Sequence, residues 1–342
     1  DDVNEYYVFV APGQDRCLKS TERMHIIEIR SFTYLLWEQW ALPRAVNKIK
    51  PDLLHCTSNT APIYTQVPLV LTLHDIIFLE NRQNSSKSLY QNMGWYYRRL
   101  IVPRILSKCR KIITVSHFEC NRIRETLHLP EDKIMAIYNG FSNHFKPLDN
   151  IKSVTQKYIS TTGYLFFLGN TDPKKNTPRT LKAYHLYLQH SQEKRPLLIA
   201  DLKPEYVDDI LKETGLEDIR PYLHLPGYIP NTDLPFLYNG AFAFLYTSLR
   251  ESFGIPLLEA MACGTPVITS NTSSMPEVGG EGAILADPTD EQSIANQLLL
   301  LERDKEFYQK QSAYGLVRSK HFSWEHTAHE LLKLYQSIIK SK

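Results

Sequence analysis

Short runs of β-branched and aromatic residues alternate with longer helical patterns along the whole 342-residue chain. Such alternation indicates strand–helix units, which build parallel sheets covered by helices, so the predicted fold class is α/β. The predicted strands are 6–10, 25–29, 53–57, 69–74, 111–116 and 134–138 in the first half, and 164–169, 196–201, 222–225, 241–246, 266–270 and 283–286 in the second.

The strand pattern restarts after a polar stretch, and the chain is long for one hydrophobic core. We therefore predict two domains, residues 1–147 and 163–320. Two doubly wound domains place ligands beyond the carboxyl ends of their strands. Apolar residues at helical spacing predict a last helix over 323–340, with Ser323 as its N-cap.

Composition narrows the functional classes. The chain is 43% hydrophobic and 22% charged, with a formal net charge of +2, which is typical of a globular protein and argues against nucleic-acid binding. Its five cysteines form no C-x-x-C pair, so we expect neither a disulfide framework nor a zinc site, and we predict a cytoplasmic location. No apolar run reaches the roughly 18 residues that a membrane helix needs.

The segment Glu251–Gly264 carries the most specific chemical signal. Pro256 suits the first position of a helix, and Gly264 suits the position just past its end, so a short helix is predicted between them. The first backbone N–H groups of a helix lack partners within the helix and attract anions. The predicted phosphate-binding groups are the N–H groups near Ile255, Leu257 and Leu258, aimed at the loop around Gly254.

Two glutamates bracket this segment. Glu259, expected on the first helical turn, could accept both hydroxyls of a ribose, since a carboxylate is an acceptor only. Glu251 lies across the loop, where a sugar attached to the diphosphate would be. The alternative is that both glutamates bind no ligand and lie at a helix terminus only because the helix dipole favours carboxylates there.

With these motifs the chain resembles the retaining glycosyltransferases of family 4, in particular their mannosyltransferase-like members. Glu251 to Glu259 matches the E-x7-E element of that family. The other matching segments are 168–176, similar to its phosphate-lysine loop, 227–234, similar to its base-side loop, and 264–270, 114–116 and 139–140. The resemblance covers roughly residues 50 to 340.

The resemblance implies a GT-B architecture, in which two Rossmann-like domains face a central cleft. The helix 323–340 would pack back on the N-terminal domain. The nucleotide-sugar donor would bind mainly to the second domain, and the acceptor to the first. Nothing before Tyr6 resembles the family's opening strand and glycine-rich loop, so the N-terminal domain is expected to lack its first strand.

Site roles follow by position from the same resemblance. Glu251, beside the donor sugar, and His74, facing the transferred sugar, are the predicted catalytic residues. Lys175 would neutralise the diphosphate and Glu259 would bind the ribose. The remaining predicted donor contacts are Gly169, Asn170, Tyr228, Ile229, Phe253, Gly254, Ile255, Pro256 and Leu257. Asn170 stands where family members often have an arginine, so Lys174 or Arg179 is a candidate replacement cation.

The chemistry of the leaving group supports these roles. Breaking a glycosyl–phosphate bond leaves negative charge on the diphosphate, which many glycosyltransferases neutralise with a metal held by an Asp-x-Asp element. No two aspartates here are separated by one residue. A lysine and a helix N-terminus can replace the metal, so no metal and no cofactor besides the donor are predicted.

A basic, aromatic-rich helical segment, 95–111, predicts peripheral contact with anionic lipid at the cytoplasmic face of the inner membrane. The alternative is an ordinary helix with a charged outer face.

The predicted function is a metal-independent, retaining transfer of a hexose, with mannose favoured, from a nucleoside-diphosphate sugar to a glycan or lipid-linked acceptor during bacterial surface polysaccharide assembly. GDP-mannose is the favoured donor, followed by UDP sugars. The alternatives are a nucleotide-sugar epimerase of similar fold, which would invert C2 of the donor without an acceptor, and a non-catalytic partner protein.

Overall fold

The computed structural model describes residues 3–13, 18–80 and 89–340. Their contacts divide the chain into two compact units. The first comprises residues up to Thr114, Cys120–Ala136 and residues from Leu332 onward, and the second comprises Val115–Glu119 and Ile137–Leu331. Residues 137–147, predicted in the first domain, therefore make their contacts in the second unit. Phe145, for example, is buried there against Tyr238, with ring centroids 5.9 Å apart.

The described part of the first unit contains two parallel sheets. Their strands are β1 (Tyr6–Val10), β2 (Met24–Glu28), β3 (Leu54–Cys56), β4 (Leu69–Thr72), β5 (Cys109–Thr114) and β6 (Ile134–Ala136). β1 pairs with β2 to form the smaller sheet, and the larger sheet has the order β3-β4-β5-β6. All four residues of β4 are buried, as expected for the interior of a parallel sheet.

Helices flank these sheets. They are α1 (Tyr34–Leu36), a π-helical turn (Trp37–Ala41), α2 (Leu42–Ile49), α3 (Leu89–Leu106) and α4 (His117–Leu127), with 3₁₀ turns at Ile77–Leu79 and Glu131–Lys133. Val46 of α2 and Val102 and Ile105 of α3 are fully buried in the core of the unit with Leu71 and Ile112 of the sheet.

The second unit is built on one six-stranded parallel sheet. Its strands are β7 (Tyr164–Leu168), β8 (Leu197–Ala200), β9 (Leu223–Gly227), β10 (Ala241–Tyr246), β11 (Val267–Ser270) and β12 (Ala283–Ala286), in the order β12-β11-β10-β7-β8-β9. The chain runs outward from β7 through β8 and β9, then returns to place β10 on the other side of β7. This reversal creates a topological switch point between β7 and β10.

Helices cover both faces of this sheet. They are α5 (Lys152–Thr155), α6 (Thr177–His190), α7 (Pro204–Thr214), α8 (Leu234–Gly240), α9 (Ile255–Ala262), α10 (Met275–Gly279), α11 (Glu291–Arg303) and α12 (Lys305–Ser319), with 3₁₀ turns at Pro173–Lys175, Glu217–Tyr222 and Gly280–Gly282. The last helix, α13 (Trp324–Lys340), begins in this unit and ends in the first. The buried side chains form two clusters, one containing Tyr184 and Tyr187 and the other Tyr238 and Phe244.

The prediction of twelve parallel strands is confirmed. Each predicted strand is present in the described residues, and no predicted end differs from the observed one by more than two residues. The predicted last helix is also present, as α13. Among the described helices, none combines the length and the apolar composition that crossing a membrane requires.

The end of α13 belongs to the first unit, where a histidine anchors it. His55 Nδ1 lies 2.5 Å from the hydroxyl of Tyr335, and its Nε2 lies 2.8 Å from the hydroxyl of Thr72. Burial lowers the pKa of His55 to about 4, so the imidazole is neutral near pH 7 and links the helix to β4 without carrying charge.

Gly140 allows the backbone before the linker to touch the start of α13. A Cβ atom at this position would collide with the backbone nitrogen of Trp324. Replacing Gly140 by alanine should therefore lower the free energy of unfolding by about 1–3 kcal/mol, the usual cost of overpacking. Gly94→Ala is the control, because Gly94 lies inside α3 with open space around it and alanine favours helix there. Thermal unfolding checks both, and equal melting temperatures for the two variants would contradict the prediction.

Candidate functional site

Strand order brings two of the predicted loops together. β7 is followed by the loop that ends with the 3₁₀ turn Pro173–Lys175, and β10 is followed by the loop that leads into α9. The two strands are paired, with Phe167 opposite Leu245 near their ends. Both loops therefore leave the same edge of the sheet, at the switch point where doubly wound sheets bind ligands.

An ion pair joins these loops. The Lys175 ammonium lies 2.5 Å from the Glu251 carboxylate, and the two side chains are 23% and 12% exposed. The hydroxyl of Tyr246, the last residue of β10, hydrogen-bonds to Glu251, and Lys175 Nζ lies 5.4 Å from the centre of the Tyr246 ring. Lys175 and Glu251, predicted to act on the diphosphate and on the sugar, are thus in direct contact.

The short helix predicted between the glutamates is α9. Gly254 is its N-cap, with φ +101°. A Cβ at Gly254 would lie 2.6 Å from the ε-methyl of Met275, so both the backbone conformation and the space require glycine. Gly264 follows the C-cap residue Cys263 with φ +80°, as predicted for the position past the helix end.

Three details of this helix differ from the sequence prediction. Pro256 occupies the second helical position, because the helix already begins at Ile255. Glu259 consequently lies in the second turn, not the first. The N–H of Leu257 donates to the carbonyl of Gly254 at 3.1 Å, so the prediction that it lacks a partner is wrong. A tight i to i+3 bond closes the first turn and uses this donor.

Several predicted donor contacts have buried side chains. Phe253 packs against Tyr138 and Phe322, with ring centroids 5.9 and 5.8 Å away, and Leu257 is fully buried. Only the backbone of these residues can meet a ligand. Ile255 and Pro256 are partly exposed at the start of α9.

Glu259 is a largely buried carboxyl group. Its nearest described hydrogen-bond partner is the hydroxyl of Tyr238, at 3.4 Å from Oε2. Burial raises the pKa of Glu259 to about 7, and the hydroxyl of Tyr238 offsets part of that rise. A group that donates hydrogen bonds to this carboxylate, such as a pair of ribose hydroxyls, would stabilise its ionised form.

The phosphate-lysine loop is shaped by its polar residues. Asn170 Oδ1 accepts the N–H of Asp172 at 2.8 Å, a turn that precedes Pro173–Lys175. Gly169 has no space for a side chain, because a Cβ would collide with Leu202. Sequence reasoning missed Asn176, a buried residue with φ +61° whose amide donates to the carbonyls of Thr247 (3.0 Å) and Pro288 (2.7 Å). It ties the lysine loop to the end of β10.

The predicted cation replacements differ in their surroundings. Arg179 Nη1 lies 3.4 Å from Asn176 Oδ1, and the carbonyl of Lys174 accepts the N–H of Leu249 at 2.7 Å. Lys174 makes this contact through its backbone. Its side chain is partly exposed and takes no part in the hydrogen bond to Leu249.

The two predicted contacts in the base-side loop differ in exposure. Tyr228 is 78% exposed, whereas Ile229 is buried in the core. The N–H of Ile229 donates to the carboxylate of Asp201, which holds the loop against the end of β8. Of the two predicted contacts here, Tyr228 is therefore the side chain available to a ligand.

His74 lies in the first unit, just beyond β4. Its N–H donates to Asn59 Oδ1 at 2.6 Å, and its Nε2 lies 2.8 Å from the carbonyl oxygen of Thr57. Because a carbonyl oxygen only accepts, Nε2 carries a hydrogen and donates it to Thr57. The catalytic role of His74 stays a prediction.

Two serines that sequence reasoning missed hold the Glu251 loop. Ser274 Oγ donates to the carbonyls of Glu251 (2.8 Å) and Phe253 (3.3 Å), and Ser273 Oγ accepts the N–H of Glu251 at 3.2 Å. Both serines follow the end of β11, and this strand-end position was the signal available in the sequence.

A second support comes from the first turn of α4, which belongs to the second unit. Ser116 Oγ donates to the carbonyl of Ser252 at 2.8 Å. The Glu277 carboxylate accepts the N–H groups of His117 and Phe118 at 2.7 and 2.8 Å. The Ser116 contact fixes the backbone of Ser252, the residue that directly follows Glu251, and the Glu277 contacts hold the start of α4. No group of three or more His, Cys, Asp or Glu in residues 3–13, 18–80 and 89–340 is arranged to hold a metal ion.

Comparisons with known proteins agree with this architecture. The family model "Glycosyltransferase Family 4" matches residues 5–143, and "Glycosyl transferases group 1" matches residues 152–318. O-antigen chain mannosyltransferase B of Escherichia coli is 32% identical over 273 residues, which are 79% of this chain and 70% of that protein. The serotype-specific mannosyltransferase WbdA of Escherichia coli is 28% identical over 87% of this chain, which spans only 38% of that longer protein.

A solved structure shows the same fold. The sucrose-phosphate synthase of Thermosynechococcus elongatus superimposes with a TM-score of 0.76 at 18% identity, covering 98% of this chain and 89% of that one. The two α/β units and their parallel sheets define a protein of the GT-B class. The chain belongs to glycosyltransferase family 4 and is a glycosyltransferase.

The raised pKa of Glu259 has a consequence for stability. As pH rises from about 4.5 to about 7, this carboxyl group ionises in the unfolded chain but stays protonated in the folded one, so it makes the folded state progressively less stable. Glu259→Gln should therefore raise the melting temperature at pH 8 and change it much less at pH 5. Glu281→Gln, an exposed change in the same unit, is the control. A gain that is equal at both pH values would contradict the prediction.

Proposed function

We propose that this glycosyltransferase moves a mannosyl residue from GDP-mannose onto a saccharide or lipid-linked saccharide acceptor, with retention of configuration and without a metal ion. The observation that carries the proposal is the Lys175–Glu251 pair at the switch point, beside the start of α9. The same edge of the sheet thus offers a cation for a diphosphate and a carboxylate for a sugar.

A bound donor would separate Lys175 from Glu251, because its diphosphate and its hexose would each contact one of the two. The diphosphate would take Lys175 and the N-terminus of α9, and the hexose hydroxyls would donate to the freed Glu251 carboxylate. The ribose would donate to Glu259. Negative charge grows on the diphosphate as the glycosyl bond breaks, and a fixed cation and helix dipole stabilise it at that moment. This arrangement assigns to Lys175 and α9 the charge neutralisation that a metal ion supplies elsewhere.

The choice of mannose rests on the relatives, one of which is named an O-antigen chain mannosyltransferase and another a serotype-specific mannosyltransferase. The proposed setting is therefore the assembly of a bacterial surface polysaccharide at the cytoplasmic face of the membrane. GDP is the proposed nucleotide, and UDP sugars are the competing donors.

A donor panel tests this function. Thermal shift with GDP-mannose, UDP-glucose, UDP-N-acetylglucosamine and their ADP and TDP counterparts should show the largest rise for GDP-mannose, because a ligand that binds only the folded state stabilises it. Transfer to mannose oligosaccharides should persist in EDTA, and NMR of the product should show an α-linked sugar. Loss of transfer in EDTA would refute metal independence, and a β-linked product would refute retention.

The lysine loop gives a matched pair of variants. Lys175→Ala should lower kcat/KM for GDP-mannose about 100-fold or more, the usual effect of removing a group that stabilises charge in the transition state. Lys174→Ala removes the same charge one residue away. It should change kcat/KM for GDP-mannose less than about threefold, since charges exposed to solvent contribute little. Steady-state kinetics measures both. If both variants lose activity equally, the loop contributes general charge and the specific role of Lys175 is refuted.

We also propose that α3 rests on an anionic lipid surface. Met93, Tyr96 and Leu100 form an exposed apolar row at helical spacing, and the exposed Arg99 and Arg104 flank it. The guanidinium of Arg99 lies 4.3 Å from the centre of the Trp95 ring. Interfacial helices combine an apolar row with basic neighbours in this way.

Vesicle sedimentation tests the lipid contact. The protein should bind phosphatidylglycerol vesicles more tightly than phosphatidylcholine vesicles, and Arg104→Glu should weaken binding about tenfold, since each basic residue near the surface contributes about 1 kcal/mol. Lys212→Glu, the same change on an exposed position of α7, is the control. Equal binding by the two variants would show that α3 is not the contact.

A further inference from the structure

A cavity of about 550 Å³ lies in the second unit, where α12 ends and α13 begins. Its lining comes from the end of α12, the turn that follows, the first part of α13, and Tyr138. The volume falls within the range of small-molecule pockets. None of the residues predicted to bind the donor or to act in catalysis lines this cavity.

Four of the lining side chains are basic, and none of the lining residues is acidic. The basic residues are Arg318, Lys320, His321 and His326. Within residues 3–13, 18–80 and 89–340, none of the four forms an ion pair with a carboxylate. The cavity therefore carries the uncompensated positive charge of an arginine and a lysine, with two imidazoles beside them.

Arg318 is oriented before any ligand arrives. Its Nε donates to the carbonyl of Val278 at 2.9 Å, and its Nη2 donates to the carbonyl of Glu277 at 2.6 Å. Its guanidinium also lies 4.9 Å from the centre of the Phe322 ring, a cation–π distance. Neutral carbonyls and a ring fix the guanidinium without cancelling its charge. Because a guanidinium has five N–H donors, some remain for an anion.

Two carboxylates neighbour the lining, and both already accept hydrogen bonds. Glu277 accepts the N–H groups at the start of α4 and the hydroxyl of Tyr138. Glu325 accepts hydrogen bonds from the side chains of Ser323 and Asn143. Neither forms an ion pair with the basic lining, so that charge is left for a ligand.

The aromatic part of the lining reaches the E-x7-E loop. Tyr138 and Phe322 both line the cavity, and their ring centroids are 5.4 Å apart. The same two rings pack against Phe253, the residue before Gly254. A ligand in the cavity would therefore contact the rings that hold this loop from inside the unit.

The ligand class that fits this lining is a phosphate-bearing anion. Phosphate oxygens accept several N–H donors at once, and arginine and lysine are the side chains that most often bind them. The two aromatic rings give the cavity an apolar wall as well, and its volume exceeds that of a single phosphate ion. The lining therefore suits a small organic phosphate.

We propose that this cavity binds a soluble phosphate-bearing molecule through Arg318, Lys320, His321 and His326, at a site separate from the one proposed for the donor diphosphate. Lys175, the cation proposed for the donor, is not part of the lining. The inference goes beyond the proposed function, because it concerns a second ligand and requires no sugar transfer.

Isothermal titration calorimetry with pyrophosphate tests the site. The titration is made on the wild type and on Lys175→Ala, which weakens binding at the proposed donor site, and pyrophosphate should bind both. Adding Lys320→Ala to Lys175→Ala should weaken this binding about tenfold, because a charge-assisted hydrogen bond is lost. Adding His326→Ala as well should weaken it further. Both side chains are exposed, so their removal should leave the fold intact.

The control is Lys212→Ala in the same Lys175→Ala background, because Lys212 is an exposed lysine of α7 in the same unit and lies outside the cavity. It should leave the pyrophosphate affinity unchanged. Equal affinities for the Lys320→Ala and Lys212→Ala proteins overturn the inference. It is also overturned if Lys175→Ala alone abolishes pyrophosphate binding, since the donor site would then be the whole of it.

Sedimentation with phosphatidic acid vesicles separates a soluble phosphate from a lipid headgroup. Lys320→Ala should bind these vesicles as the wild type does. If it loses vesicle binding while its pyrophosphate affinity is unchanged, the cavity serves a lipid headgroup and the soluble ligand is refuted. Neither measurement depends on sugar transfer, so failure of the proposed function would leave both results interpretable.

Discussion

The parallel pairing of β7 with β10 is the constraint on which the second unit's site depends. These strands are neighbours in space although two strand–helix units separate them in the chain. Their pairing brings the lysine loop and the E-x7-E loop to one edge, and the 2.5 Å contact between Lys175 and Glu251 follows from it. A change that shifted either strand would separate these two charges.

The two glutamates of the site differ in how their charge is balanced. Lys175 and Glu251 neutralise one another, and Glu259 has a pKa raised to about 7 because burial disfavours its charge. In the proposed donor complex, the diphosphate would pair with Lys175, and the ribose hydroxyls would stabilise the ionised form of Glu259. Much of the surrounding structure, including Ser274, Asn176 and Glu277, keeps the backbone of these loops in place.

Much of the fold and part of the site could be predicted from sequence. The strands of parallel sheets are continuous buried apolar runs, so their positions can be recognised locally, and the glutamates of the E-x7-E element were recognised by spacing. The start of α9 was predicted one residue late, because Pro256 is tolerated at the first or the second helical position. The buried side chain of Ile229 and the partner of the Leu257 N–H depend on packing and backbone geometry that no local pattern records.

The sequence by itself determined the alternation of strands and helices, the glycines at Gly254 and Gly264, and the residue types available for phosphate and ribose. These depend on local periodicity and backbone conformation. Only the tertiary structure decided that Lys175 pairs with Glu251, that Glu277 caps α4, and that Tyr138 and Arg318 line one cavity. The first two depend on residues far apart in the chain. The cavity depends on which side chains the core leaves uncovered.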